Sequence, residues 1–106
     1  MIVLALTSMM AAASLQTAAA DSSRKEFVAC LRTAVEQAKA QKIAGDGFAA
    51  FAHQQCATIE GSFKSAMVTF DVKNKVAKKQ AETDAQGAID DYVLSATDHY
   101  HASLPQ

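Results

Sequence analysis

One apolar seam with helical spacing constrains the fold of this 106-residue chain more than any other feature. Its members recur at intervals of three and four residues, which places them on one face of an α-helix and not on one face of a β-strand. They are Phe48, Ala52, Cys56, Ile59, Phe63, Ala66 and Phe70. The phase continues across Gly61, so we predict one continuous helix with a close approach of another segment at this glycine.

A second apolar stripe with the same spacing lies upstream, over residues 27–38. Ser23 and Glu26 have the spacing of a capping box immediately before it, which predicts that a helix begins there. Gly45 is expected to end this helix, because glycine readily adopts the left-handed conformation that follows a helix. Asp46 is then placed to cap the next helix.

The pattern weakens over residues 71–74, where we predict a turn, with one long bent helix across this region as the alternative. A third helix is expected from about Lys75 to Ala102, since apolar residues again recur at helical spacing there. The first half of its stripe is nearly all alanine and offers little apolar area for packing. Residues 104–106 are expected to form a frayed tail.

The two cysteines, Cys30 and Cys56, both fall on the inward stripes of a helical hairpin that turns about Gly45. At about 1.5 Å of rise per residue, their offset along the hairpin is roughly 6 Å, which a modest tilt absorbs. We therefore predict an intramolecular disulfide, with free thiols or a bond to another chain as alternatives. The expected fold is all-α: a disulfide-stapled helical hairpin plus a third long helix, in a small helical bundle.

Residues 1–20 contain no Asp, Glu, Lys or Arg, and they end in three alanines before the charged Asp21. An apolar run followed by small residues is typical of a secretory signal peptide. We predict cleavage after Ala20 and a single mature domain of residues 21–106, located in the periplasm or secreted. An uncleaved membrane anchor is the alternative, although Thr, Ser and Gln dilute the apolar run.

Charge is nearly balanced, with ten Lys and Arg against eleven Asp and Glu, a net charge of −1. Nucleic acid and anionic membrane surfaces are bound through an excess of positive charge, so neither is expected as a partner. A domain of this size buries only about 60% of the surface that its unfolded chain exposes, so a thin core stapled by a disulfide is expected.

One cluster of charge stands out: Lys73, Lys75, Lys78 and Lys79 lie together at the start of the predicted third helix. Positive charge at a helix start opposes the helix dipole, so this block does not serve to stabilise the helix. We interpret it as a possible surface for an acidic protein partner. An ordinary solvated helix face is the alternative.

The three histidines show no catalytic or metal-binding spacing. His53 can meet Asp90 or Asp91 across an antiparallel third helix, and we interpret it as a boundary histidine satisfied by a carboxylate or by water. On a helix His99 and His101 diverge by about 200°, so they cannot share an ion. We therefore predict an exposed polar helix end and no metal site.

No phosphate-binding loop, zinc-finger spacing or nucleophile elbow is present, so neither enzymatic activity nor a cofactor is expected. The chain is predicted to be an exported, non-enzymatic binding or interaction protein of the cell envelope with a protein partner. Two versions remain open: a holdase-like stress chaperone, and an inhibitor or immunity protein of a secreted enzyme. The sequence leaves the oligomeric state and the identity of the partner open.

Overall fold

The chain folds into α-helices joined by short turns, and the predicted all-α class is confirmed. The computed structural model describes the backbone of residues 2–105 and the side chains of residues 17–105, and within these ranges there is no β-strand. The helices are α1 (Ile2–Gln41), α2 (Phe48–Gln55), α3 (Ala57–Lys73) and α4 (Lys78–Ser103). A short 3₁₀ helix, Gly45–Gly47, leads into α2.

The helices form an up-down-up bundle in which α3 packs against both α1 and α4. The ring of Phe27 in α1 lies 5.6 Å from that of Phe63 in α3 and 6.3 Å from that of Tyr92 in α4. Nearer the other end, Tyr100 of α4 stacks on Phe48 of α2 at 4.7 Å. The small helical bundle predicted from the apolar spacing is therefore confirmed.

The core is thin, as predicted, because alanine supplies five of the fourteen buried apolar side chains among the described residues. These fourteen are Phe27, Leu31, Ala34, Val35, Ala38, Phe48, Ala52, Cys56, Phe63, Ala81, Ala85, Ile89, Val93 and Tyr100. All of them lie at position 27 or later, so the predicted mature domain contains the whole described core. Within the part of the chain that the structure describes, no helix has the length and apolar character needed to cross a membrane.

The predicted disulfide between Cys30 and Cys56 is confirmed, with the two Cα atoms 6.0 Å apart. It joins α1 to the junction of α2 and α3, where the backbone of Cys56 leaves helical values (φ −106°, ψ 14°). The prediction of one unbroken helix through this position is wrong, because α2 ends at Gln55 and α3 begins at Ala57. The side chain of Cys56, at the break between these two helices, is buried.

The helix continues through Gly61, as predicted, but the expected close approach at this glycine is wrong. Gly61 is exposed, and a Cβ atom built there would meet no atom within 4 Å. It lies two residues from both Ile59 and Phe63, and a separation of two residues on a helix is about 200°. Gly61 therefore points to solvent, on the side opposite the seam.

The predicted helix start at Ser23 is wrong, because α1 continues upstream without a break to Ile2. The alanine-rich stretch before Asp21 favours helix, so Ser23 lies in a helix interior and does not act as a cap. The prediction of a signal peptide rests mainly on side chains of residues 1–16, which lie outside the described side chains.

The prediction that Gly45 ends α1 is wrong, because Lys42 ends this helix. Lys42 adopts the left-handed conformation (φ 57°), and the amide of Ile43 donates to the carbonyl of Ala38 at 3.0 Å. This is the Schellman arrangement, which satisfies carbonyl groups left free at a helix end. Asp46, the predicted cap of the next helix, makes no capping hydrogen bond and lies in the 3₁₀ helix.

The carboxyl-terminal segment is more ordered than the predicted frayed tail. Leu104 is half-buried and packs against the core, and α4 ends only at Ser103. Pro105 is exposed, and Gln106 lies outside the described residues. The tail is therefore held to the bundle through Leu104.

Candidate functional site

The four lysines predicted as a partner surface gather at one end of the bundle, around the turn between α3 and α4. We call this surface the lysine end; it comprises Lys73, Lys75, Lys78 and Lys79. Lys73 is the last residue of α3, Lys75 lies in the turn, and α4 begins with Lys78. All four are exposed, and none forms an ion pair with a described side chain.

The turn that presents these lysines lies three residues later than predicted, because α3 runs on to Lys73. The alternative of one long bent helix is excluded. Lys75 takes the left-handed conformation (φ 69°), and the amide of Val76 donates to the carbonyl of Asp71 at 2.9 Å. The side-chain amide of Asn74 donates to the carbonyl of Phe70 at 2.8 Å. These bonds end α3 in the same Schellman manner as α1.

The electrostatic setting of the lysine end keeps its charges uncompensated. Lys73, at the carboxyl end of α3, is placed favourably for the helix dipole. Lys78 and Lys79 begin α4, whose first turn contains no acidic residue, and their charges oppose its dipole. Val72, 43% exposed, adds an apolar contact beside Lys73. The lysine end therefore combines free positive charge with exposed apolar surface, and an acidic partner would relieve the unfavourable charge.

An apolar groove adjoins the lysine end, and sequence reasoning did not predict it. The groove encloses about 310 Å³ between α1, α3 and α4. Phe63, Met67 and Phe70 of α3 line it, together with Tyr92 of α4. The wall on the α1 side is made mainly of small or polar residues that include Thr17 and Ala20. We call it the α3–α4 groove, since these two helices supply its apolar surface.

A charged cluster closes the other end of this groove. The carboxylate of Asp21 lies 2.6 Å from the guanidinium of Arg24 and 3.3 Å from the ammonium group of Lys25. Hydrogen bonds from Arg24 and then Lys25 hold the pKa of Asp21 below its ordinary value. Conversely, Asp21 and, to a lesser extent, the hydroxyl of Tyr92 raise the pKa of Arg24. Arg24 thereby links the middle of α1 to α4.

A second groove, of about 590 Å³, runs between α1 and α4 on another side of the bundle. Leu31 and Val35 of α1 form its floor with Ala96 of α4, and Arg32 and His99 lie on its rim. The rim also carries Glu36, so the charges of Arg32 and Glu36 offset each other there. Unlike the lysine end, this groove has no charge preference for a partner.

The sequence suggested that His53 meets Asp90 or Asp91, but the structure gives His53 a different partner. Its Nδ1 atom lies 2.6 Å from the carboxylate of Glu60, seven residues further along the same arm. Seven residues are about two helical turns, so the two side chains lie on the same face and meet across the break between α2 and α3 at Cys56. His53 is therefore a boundary histidine satisfied by a carboxylate, as we interpreted it, although the carboxylate is a different one.

The histidines near the end of α4 do not share a ligand. Nε2 of the exposed His101 donates to the carbonyl of Gly45 at 2.8 Å, whereas His99 lines the second groove. No group of three potential metal ligands is found among the described residues. The sequence missed the contact of His101, because it joins positions far apart in the chain. The one signal for this contact in the sequence is Gly45 itself, whose lack of a side chain leaves room for the His101 ring.

Comparisons with family models, with curated proteins and with solved structures find no match to this chain.

Proposed function

We propose that the chain is an exported, non-enzymatic interaction protein of the cell envelope whose domain of residues 21–106 binds an acidic protein partner through the lysine end. The observation that carries the proposal is the cluster of four exposed lysines that have no acidic partner among the described side chains. Charges of one sign at one end of a small domain steer and orient a partner of opposite charge.

Export is supported by two independent features. Disulfides persist in oxidising compartments such as the periplasm or the extracellular space, and this domain contains one. The uncharged, alanine-ended stretch before Asp21 is typical of a leader that is removed. We therefore take the processed chain, beginning at Asp21, as the functional form. The intact mass of the exported protein tests this step, and a mass that retains residues 1–20 contradicts it.

The interaction is tested with the processed chain immobilised in the presence of envelope extract. Two variants each remove four positive charges by substitution to Gln. One changes the lysine end, and the matched control changes Lys25, Arg32, Lys39 and Lys42, which lie on or directly after α1. We expect the wild type and the control to retain the same protein, and the lysine-end variant to lose it at least tenfold. The proposal is overturned if the wild type and both variants retain the partner equally, or if both variants lose it equally.

We favour one folded partner over many unfolded clients, because the lysine end is a local charged surface on a fixed, stapled bundle. A partner bound in this way dissociates as salt rises, since exposed charges are screened within about 8 Å at physiological ionic strength. Binding to a reduced, unfolded test protein on acidification, with the disulfide intact, would instead support the holdase alternative.

A further inference from the structure

Helix α1 passes through the predicted cleavage position, Ala20–Asp21, without interruption. The segment on the amino-terminal side of this position forms part of one wall of the α3–α4 groove, because Thr17 and Ala20 line the groove together with Met67 and Phe70. The leader thus ends in a helix that covers the apolar surface next to the lysine end.

Removal of residues 1–20 takes away one wall of the groove and leaves the core intact. Asp21 and Arg24 still line the groove after cleavage, whereas Thr17 and Ala20 are removed with the leader. The buried side chains and the disulfide all lie at position 27 or later. The processed domain therefore keeps its stabilising contacts while the half-buried Met67 and Phe70 lose their cover.

We propose that the leader helix is a placeholder, and that in the processed protein the α3–α4 groove receives an α-helix of the acidic partner. This inference rests on the proposed function and specifies the partner's contact element. The helix that forms this wall in the full chain presents small residues, Thr17 and Ala20, to the groove. A helix that carries small residues at the groove and Asp or Glu about one turn further meets the lysine end with opposite charge.

Two contributions to the binding energy combine when a partner helix lies in the groove. The apolar side chains of Met67 and Phe70 supply burial, about 25 cal/mol for each Å² removed from water. Lys73 and Lys79 supply charge at the end of the groove, which selects a partner that has acidic residues there. A basic or neutral helix gains only the first contribution, so charge decides between helices of similar shape.

The test uses a peptide of residues 5–20 as the probe, together with a variant in which Ala11 and Ser14 are replaced by Glu. Positions 14 and 11 lie about one and two helical turns, respectively, before Thr17, towards the lysine end. Fluorescence anisotropy measures binding of each labelled peptide to the processed chain at low salt. We expect saturable binding of the first peptide and at least threefold tighter binding of the Glu variant, with the added affinity lost when the lysine end is changed to Gln.

Two further comparisons make the result specific to the groove. The full chain, whose own leader already occupies the position that the peptide would take beside α3, is expected to bind the peptide at least tenfold more weakly than the processed chain. Met67→Ala with Phe70→Ala is expected to abolish binding, while Phe51→Ala, a half-buried aromatic of α2, leaves it unchanged. Equal binding by the full and processed chains, or binding unaffected by the Met67 and Phe70 changes, overturns the inference.

Amide hydrogen exchange gives a readout that needs no peptide. Residues 67–73 and 78–88 are expected to exchange faster in the processed chain than in the full chain, because they lose the cover of the leader, and to slow again when the peptide is added. Uniform protection in both forms contradicts the placeholder role. Should the peptide fail to bind while capture of the partner still depends on the lysine end, the proposed function stands and only this inference falls.

Discussion

The hydroxyl of Tyr100 lies 2.5 Å from the carbonyl oxygen of Ile43, and this hydrogen bond fastens the last turns of α4 to the turn that ends α1. The same hydroxyl lies 3.3 Å from the carbonyl of Ala38, and the ring is fully buried against Phe48. His101 bonds to the carbonyl of Gly45 in the same turn. Residues more than fifty positions apart therefore hold the connection between the first two helices.

Tyr100→Phe is expected to lower the free energy of unfolding by about 1–2 kcal/mol, because the carbonyl of Ile43 loses its donor while the stacked ring remains. Urea unfolding followed by circular dichroism measures the change. Phe48→Leu serves as the complementary variant, since it removes the stacking partner and keeps the hydroxyl. A Tyr100→Phe protein as stable as the wild type would show that the hydroxyl only fills space.

Two lysines occupy the left-handed conformation that glycine adopts most easily, and both end a helix. Lys42→Gly and Lys75→Gly are each expected to stabilise the protein by about 0.5–1 kcal/mol, since the backbone strain of a side chain at positive φ is removed. Their effects should add, because the two turns lie at opposite ends of the bundle. Thermal unfolding measures the gain.

The control for this pair is Lys39→Gly, in the last turn of α1, where glycine costs about 1 kcal/mol and the nearby pairing of Lys39 with Glu36 is lost. Loss of stability in Lys42→Gly or Lys75→Gly would mean that the lysine side chain contributes more than its conformation costs.

The glycines divide into two groups by the space around them. Gly61→Ala and Gly87→Ala are expected to stabilise the protein by about 0.5–1 kcal/mol each, because both positions are helical and a Cβ atom there meets nothing within 4 Å. A Cβ at Gly45 would instead lie 3.2 Å from the His101 ring. Gly45→Ala should therefore displace His101, which ¹H–¹⁵N spectra of the imidazole detect, and should give no comparable gain in melting temperature.

Sequence reasoning predicted the helices and the disulfide because the phase of apolar side chains is a local property. Cys30 and Cys56 follow the inward stripes, and a helical stripe determines which residues face each other. The helix ends were less predictable. Lys42 and Lys75 have no preference for the left-handed conformation, and they adopt it because each precedes an apolar residue, Ile43 or Val76, in a Schellman turn.

The candidate site likewise has one part that the sequence predicts and another part that it does not. The lysine end is visible as a run of charges in the sequence, since its members are close in the chain. The α3–α4 groove is not, because it depends on where α1 passes Met67 and Phe70, and that register is set by tertiary packing. Likewise, the pairing of His53 with Glu60 spans the break between α2 and α3 at Cys56, which apolar periodicity does not reveal.

Asp21 provides a pH-dependent test of the charged cluster in α1. Its folded-state pKa is lowered by Arg24 and Lys25, so its ion pairs contribute stability above about pH 4, the ordinary pKa of Asp, and lose it as pH falls through the folded value. We expect an NMR titration of its carboxyl to give a midpoint below about 3.9. Arg24→Gln should raise this midpoint and Arg32→Gln should leave it unchanged; an ordinary midpoint in the wild type contradicts the pairing.

The disulfide has the largest predicted effect on stability. It closes a loop with a sequence separation of 26, which corresponds to about 3.5 kcal/mol in the chain-entropy model. Small domains have only about 5–15 kcal/mol in total, and alanine forms much of this core, so loss of the bond should leave a partly helical chain with a broad transition. Reduction and the double variant Cys30→Ala with Cys56→Ala should have similar effects on urea unfolding. If the reduced and oxidised proteins unfold at the same urea concentration, the packing around Cys56 holds the helices together without the bond.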